Sequence, residues 1–248
     1  ERGNRVFPES DRAKDVLNAL LRYAGKKGVK IITGRAEALE TADGRVVGVR
    51  GEGFSVSCGK VILATGGVSY PRTGSSGDGY KMARALGHTI IEPKPSLVPL
   101  EEEGETCARM QGLSLKNASL KLLNQKGKAA YTDFGELLFT HFGLSGPLIL
   151  SASAHMKEGE AYTIRLDLKP ALDEKTLDLR ILRDFEKSLN KDFSNALGDL
   201  LPRLLIPVII ERSGIDPDTK VNAITKAQRR KLLETIKSFD IKIKGKRP

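Results

Sequence analysis

Four consecutive apolar residues, Val61-Ile62-Leu63-Ala64, run directly into Thr65-Gly66-Gly67, and a glycine-rich stretch follows as far as Gly79. A strand of a half-exposed antiparallel sheet alternates apolar with polar residues; an unbroken apolar run fits a strand buried on both faces of a parallel sheet. The spacing predicts that strand over 61–65 and a helix over 79–86 capped by Asp78, with Met82, Ala83 and Leu86 inward and Gly87 closing it. A strand, a glycine loop and a helix start can bring backbone close to a flat ligand while free N–H groups face negative charge. Glycines also serve any tight turn that needs positive φ, so the loop alone leaves ligand binding and plain connection both open.

Upstream, Ser10 can cap a helix whose residues Ala13, Val16, Leu17, Leu20, Leu21 and Ala24 share one face, ended by Gly25 or Gly28. A strand is expected over 29–33, then a small meander over 45–50, 54–58 and 61–65 with turns at Asp43-Gly44 and Gly51-Glu52-Gly53. Pro93 and Pro95 stiffen the chain and mark a boundary. Beyond it, β-leaning segments at 97–100, 113–123, 129–131, 136–140 and 162–168, parted by turns such as Gln125-Lys126-Gly127, point to a small antiparallel barrel or sandwich. After Pro170 come helices: one on Leu177, Ile181, Leu182, Phe185 and Leu189, one over 201–210 interrupted by Pro207, and one capped by the Thr225/Gln228 box and running to Lys237. Ile241 and Ile243 alternate with lysines, which returns the chain to the barrel as a strand.

The chain has no apolar run near the roughly 18 residues that span a bilayer, and it opens on Glu1-Arg2-Gly3-Asn4 without a signal-peptide core, as a segment inside a longer protein would. Cys58 and Cys107 stand far apart with no ligand-spaced neighbours, which argues against a disulfide framework or zinc site and for a reducing cytoplasmic home. The formal charge of +10 admits a nucleic-acid partner, and much of the excess falls late, at Lys226, Arg229, Arg230, Lys231, Lys237, Lys242, Lys244, Lys246 and Arg247. Aromatics are only 5% and tryptophan is absent, so stacking platforms are scarce; a solvated basic face is the simpler reading. No G-x-G-x-x-G occurs, because Gly74-Ser75-Ser76-Gly77-Asp78-Gly79 has its glycines in the wrong order, and no Gly-Lys-Ser/Thr triplet marks a phosphate loop.

Lys60 to Gly67 resembles the A-T-G-G strand end of flavoproteins with two dinucleotide-binding domains, and Gly77-Asp78-Gly79 followed by Met82-Ala83 resembles their fumarate reductase group. Three longer motifs look like the YhiN-type (BaiN or aminoacetone oxidase-like) flavoproteins, in that family's order. They are Arg5-Val6-Phe7-Pro8, the run from Ser69-Tyr70-Pro71-Arg72 to Gly79-Tyr80, and Leu138-Phe139-Thr140-His141-Phe142-Gly143-Leu144-Ser145-Gly146-Pro147. The resemblance implies an α/β and α+β chain: part of an FAD-binding, Rossmann-like domain over 1–93, an inserted antiparallel β-barrel over 94–169 with a returning strand at 239–248, and a helical domain over 170–238. The family's pyrophosphate-binding turn and its closing flavin-contacting segment would fall outside the chain, so the fragment alone is expected to be inactive and not to retain FAD.

Carried over, the resemblance implies that Thr65, Gly66 and Gly67 line FAD and that backbone near Ala36 meets the adenine. Tyr70, Arg72 and the loop of Thr73, Gly74, Gly77, Asp78 and Gly79 would approach the isoalloxazine and a small-molecule substrate. His141 is a candidate proton relay, since histidine titrates near neutrality, though a structural hydrogen bond at a turn is the plainer role. Arg72 has a fork suited to a carboxylate and an equally ordinary surface role. The parent would be a flavin oxidoreductase with NAD(P)H as a possible donor and no membrane partner. Two other classes stay open: a nucleic-acid or partner-docking module built on the basic C-terminal helices, and a structural cap with no ligand of its own.

Overall fold

The computed structural model describes residues 6–247, so Arg5 of the first family motif and Pro248 lie outside the described residues. The chain divides into two compact units, Glu1–Pro93 and Lys94–Pro248.

In the first unit, helix α1 (Ala13–Lys26) begins after Arg12, not on a Ser10 cap; the Ser10 hydroxyl instead donates to Asp15. It ends where Gly28 takes φ +75°, with Val29 N–H donating to Ala24 O at 3.1 Å and Gly28 N–H to Gly25 O at 3.0 Å, the pair of bonds that satisfies a helix's last carbonyls. Strands β1 (Ala36–Ala42), β2 (Arg45–Gly51) and β3 (Phe54–Ser57) form an antiparallel meander in sequential order. Asp43 and Gly44 both have positive φ at the first hairpin, as the twist-matched two-residue turn requires. Helix α2 (Asp78–Ala85) closes on Gly87 at φ +86°.

Three further expectations fail in this unit. The segment 29–33 is not a strand, and β1 begins only at Ala36. Nor do residues 61–64 form a buried strand: Ile62 is 93% exposed, and no strand is assigned there. The physical reason is that a parallel strand is held by neighbours, and among the described residues of this unit the paired strands are the meander alone. The third is Asp78, which is the first residue of α2; Gly77, at φ +76°, occupies the cap. The apolar face of α1 is real but uncovered, with Leu17 and Leu20 more than half exposed.

The second unit is a closed six-stranded barrel in the order β4-β7-β6-β5-β8-β9, every pairing antiparallel. The strands are β4 (Leu100–Glu102), β5 (Ser114–Asn124), β6 (Ala129–Thr140), β7 (Gly143–Ser145), β8 (Tyr162–Asp167) and β9 (Phe239–Lys246). Period-two alternation aims Tyr162, Ile164 and Leu166 of β8 and Phe239, Ile241 and Ile243 of β9 inward, and closure leaves no free sheet edge. Short helices α3 (Thr106–Arg109) and α4 (Pro147–Ser153) pack on the barrel.

Helices α5 (Glu174–Glu186), α6 (Ile206–Ser213) and α7 (Lys226–Lys237) are inserted between β8 and β9. Asp173 caps α5 through Thr176 N–H at 2.7 Å, and Thr225 with Gln228 forms the expected reciprocal box on α7. Leu177, Ile181 and Phe185 of α5 and Leu232, Leu233 and Ile236 of α7 join the barrel interior in one apolar cluster. Here too the boundaries shift. β6 is one strand through Gly135, β4 starts at Leu100 because Leu97 turns to φ +54°, and Leu189 lies beyond α5. Pro207 sits in the first turn of α6, where its missing N–H costs no helical bond, so it helps to start that helix and does not interrupt it. Among the described residues no helix is long and apolar enough to cross a membrane.

Candidate functional site

The glycine turn and the start of α2 come together within the first unit. Gly77 N–H donates to Gly67 O at 3.1 Å, and a Cβ built on Gly79 would lie 2.2 Å from Thr65 Oγ1. Only a glycine at 79 lets the helix approach Thr65 this closely. Gly66, at φ +75°, needs a left-handed backbone, and its Cβ direction meets Ser75 Oγ at 3.2 Å; that of Gly67 meets the Tyr80 hydroxyl at 3.6 Å. These glycines therefore serve the chain's own packing on that side, while Gly74, at φ +96°, faces open space.

Tyr70 organises the loop between them through its carbonyl. Thr73 N–H, Thr73 Oγ1 and Ser75 N–H all donate to it, at 3.0, 3.0 and 3.2 Å, winding Pro71–Thr73 into a single 3-10 turn. Tyr70 is 71% exposed, and Arg72 is exposed as well. Together with Val68, Ile62 and Leu63 this leaves an uncovered apolar surface beside the turn.

Asp78 is a hub that the sequence did not reveal. Its carboxylate accepts from Ser76 Oγ at 2.8 Å, Lys81 Nζ at 3.1 Å, and Arg35 Nη2 and Nε at 2.9 and 3.2 Å. The Ser76 hydroxyl, then Lys81 and Arg35, hold its carboxyl down at about 2. The Asp78/Lys81 spacing of three residues was a legible helix-pair signal; Arg35, 43 residues away, gave none. Ala36, half-buried, follows Arg35 and pairs with Gly51 at the head of β1. No side chain caps α2, so the Asp78 and Gly79 amides, which a helix cannot satisfy internally, lie beside one carboxylate and two cations. That balance favours an added negative charge.

Asp78 also sets an acid limit. Its folded pKa lies below the ordinary 3.8, so the stabilisation is present above 3.8 and is lost as pH falls through about 2. We expect Asp78→Asn to abolish the steepening of acid unfolding in that window, measured by circular dichroism against wild type. Equal acid profiles would show that the hub holds nothing together.

His141 belongs to the second unit, in the β6–β7 turn. It is exposed and meets Phe142 edge-on at 5.1 Å, while Arg247 covers the Phe142 ring at 4.1 Å and pairs with Glu101 at 3.1 Å. Gly143 and Gly146 of the same motif have positive φ and pack against strand backbone. Among the described residues no cluster of three or more His, Cys, Asp or Glu is arranged to hold a metal.

Residues 94–248 match the family described as HI0933-like protein barrel and H2TH domain, and residues 1–164 match its Rossmann-domain counterpart. The 3-dehydro-bile acid delta(4,6)-reductase of Clostridium scindens is 31% identical over 242 residues, which cover 95% of this chain and 58% of that protein. The ribosomal RNA dihydrouridine synthase of Escherichia coli is 28% identical over 237 residues, 95% of this chain and 56% of the relative. Its namesake in Haemophilus influenzae is 31% identical over 190 residues, 76% and 44% respectively. The chain thus spans under two thirds of the length of each of these relatives.

Proposed function

The chain belongs to the HI0933-like family, and from that membership we propose that it forms part of an FAD-dependent reductase acting on a carbon–carbon double bond polarised by a carbonyl group. The observation that carries this reading is the A-T-G-G turn bonded to an uncapped helix start with a surplus of positive charge. An open Gly74, exposed apolar residues at the turn and a helix N-terminus fit one side of a flat cofactor that becomes anionic when reduced.

Relatives' names supply the reaction class. A delta(4,6)-reductase saturates ring double bonds of a 3-dehydro-bile acid, and a dihydrouridine is a uridine whose ring double bond has gained two hydrogens. In each case a ring double bond gains two hydrogens, which one hydride and one proton per double bond would supply. When bound, FAD supplies the two-electron hydride chemistry, with NAD(P)H as the proposed donor. The chain's own share is to hold negative charge at the Asp78 and Gly79 amides, to bind the substrate's oxygen with Arg72, and to deliver the proton from Tyr70. Ala36, Thr65, Gly66, Gly67, Thr73, Gly74 and Gly77 are proposed as the cofactor's backbone lining.

The full-length protein should be purified with FAD bound, bleach anaerobically on addition of NADH or NADPH, and regain its colour with a conjugated enone. A colourless protein, or a flavin that no such acceptor reoxidises, would rule the reading out. A second reading, with uridine in RNA as the double bond reduced, is favoured by the two relatives named for ribosomal RNA and by the net charge of +10.

A further inference from the structure

Of the described residues whose side chains bond the Asp78 carboxylate, Ser76 and Lys81 belong to the same loop and helix and move with them. Arg35 alone reaches in from another element, the residue before β1, 43 positions away in sequence. Its Nε and Nη2 both meet Oδ2, at 3.2 and 2.9 Å, while Lys81 Nζ takes Oδ1 at 3.1 Å.

The backbone that carries Arg35 is pinned from both sides. Glu52 N–H donates to Arg35 O at 3.0 Å, and the Phe54 ring lies so close across Gly34 and Gly51 that a Cβ built on them would come within 2.7 and 2.3 Å of it. A Cβ on Gly51 would also lie 2.4 Å from Arg35 O, so only glycine admits this crossing. The guanidinium therefore extends from a fixed root, with 65% of its side chain exposed against 20% for Asp78. Solvent screens a pair this open, which keeps its own share of stability small; its larger consequence is for charge.

Asp78 is the first residue of α2, and its amide and that of Gly79 have no partner within the helix. An ionised carboxylate at that point works against a further anion on those amides. Arg35 and Lys81 together outweigh it by one charge, and without Arg35 the charges cancel. Ser76 and Lys81 would still hold the carboxyl low, so it would stay ionised at neutral pH. We propose that Arg35 is a positioning residue of the cofactor site: acting through Asp78, it leaves the start of α2 electropositive and so raises the reduction potential of the flavin held there. The inference rests on the flavin reading above and names the charge that sets the site's preference for the reduced cofactor.

The measurement is the two-electron midpoint potential of FAD in the full-length protein, titrated anaerobically against reference dyes. Arg35→Gln should weaken the binding of reduced relative to oxidised flavin roughly tenfold, the order expected for one unbalanced charge near a protein surface. For a two-electron couple that tenfold change lowers the potential by about 30 mV. Arg35→Lys should hold the wild-type potential, because the charge is kept while the planar fork is lost. The double variant Arg35→Gln with Asp78→Asn should return most of the way to wild type, since it restores the surplus without restoring the bridge. A bridge that served packing alone would leave the double variant as displaced as the single one, and that result overturns the inference. Asp78→Asn alone should raise the potential, and it decides the matter if Arg35→Gln does not keep its flavin. Unchanged thermal melts show that the variants fold. A potential that neither Arg35→Gln nor Asp78→Asn moves overturns the inference and leaves the flavin reading standing; a wild type that binds no flavin overturns both.

Discussion

Gly79→Ala is expected to weaken FAD binding by the full-length protein about tenfold or more, and Thr65→Ala in the same chain to restore most of the loss. The added Cβ would lie 2.2 Å from Thr65 Oγ1, yet 3.5 Å from Thr65 Cβ, an ordinary contact. The hydroxyl must therefore swing away or α2 must back off, and overpacking of this kind costs about 1–3 kcal/mol, one tenfold step in affinity per 1.4 kcal/mol. Because α2 is bonded to the glycine turn through Gly77 and Gly67, a displaced helix carries its amides away from the proposed cofactor. Flavin content after dialysis of the two single variants and the double is the measurement. A double variant no better than Gly79→Ala would mean that the close approach is not what fixes the loop.

Gly143→Ala should destabilise the barrel by about 3 kcal/mol or more, lowering its melting temperature by roughly 2–4 °C for each kcal/mol. At φ +150° a side chain is strained, and its Cβ would meet Leu100 O at 2.2 Å and Glu102 N at 2.7 Å. Those are backbone atoms, so no rotamer change relieves the clash. They belong to β4, whose three residues pair with β7 on one side and β9 on the other and so complete the ring. Gly127→Ala, at φ +72° but facing open space, is the control that carries strain alone. Melting curves of the two variants should separate clearly; coincidence would show that β4 yields without loss.

The second unit was legible because its elements carry their own signals. β8 and β9 alternate apolar residues with polar ones, and α7 announces itself through Thr225 and Gln228. β7 and α3, three and four residues long, are too short to show a period and exist only because longer strands hold them. In the first unit the β-leaning segment 29–33 and the apolar run 61–64 obeyed the strand pattern and still form no strand, since burial depends on neighbours and the pattern records only the demand for them. The candidate site divides in the same way. Gly66, Gly74 and Gly77 were visible as glycines that a turn must use, whereas the Arg35–Asp78 bridge joins residues with no spacing rule between them. Family resemblance, not periodicity, singled out His141 and Arg72.

The helical insertion separates β8 from β9 by residues 168–238, and β9 bonds to both β8 and β4. On a ribosome the ring therefore stays open, with two adhesive margins, until β9 has emerged behind the helical insertion. The loop-closure entropy falls late and is shared with the helices, since α7 leads straight into β9. Barrel and helices should then melt in one transition, and a chain stopped before Phe239 would present its open ring to aggregation.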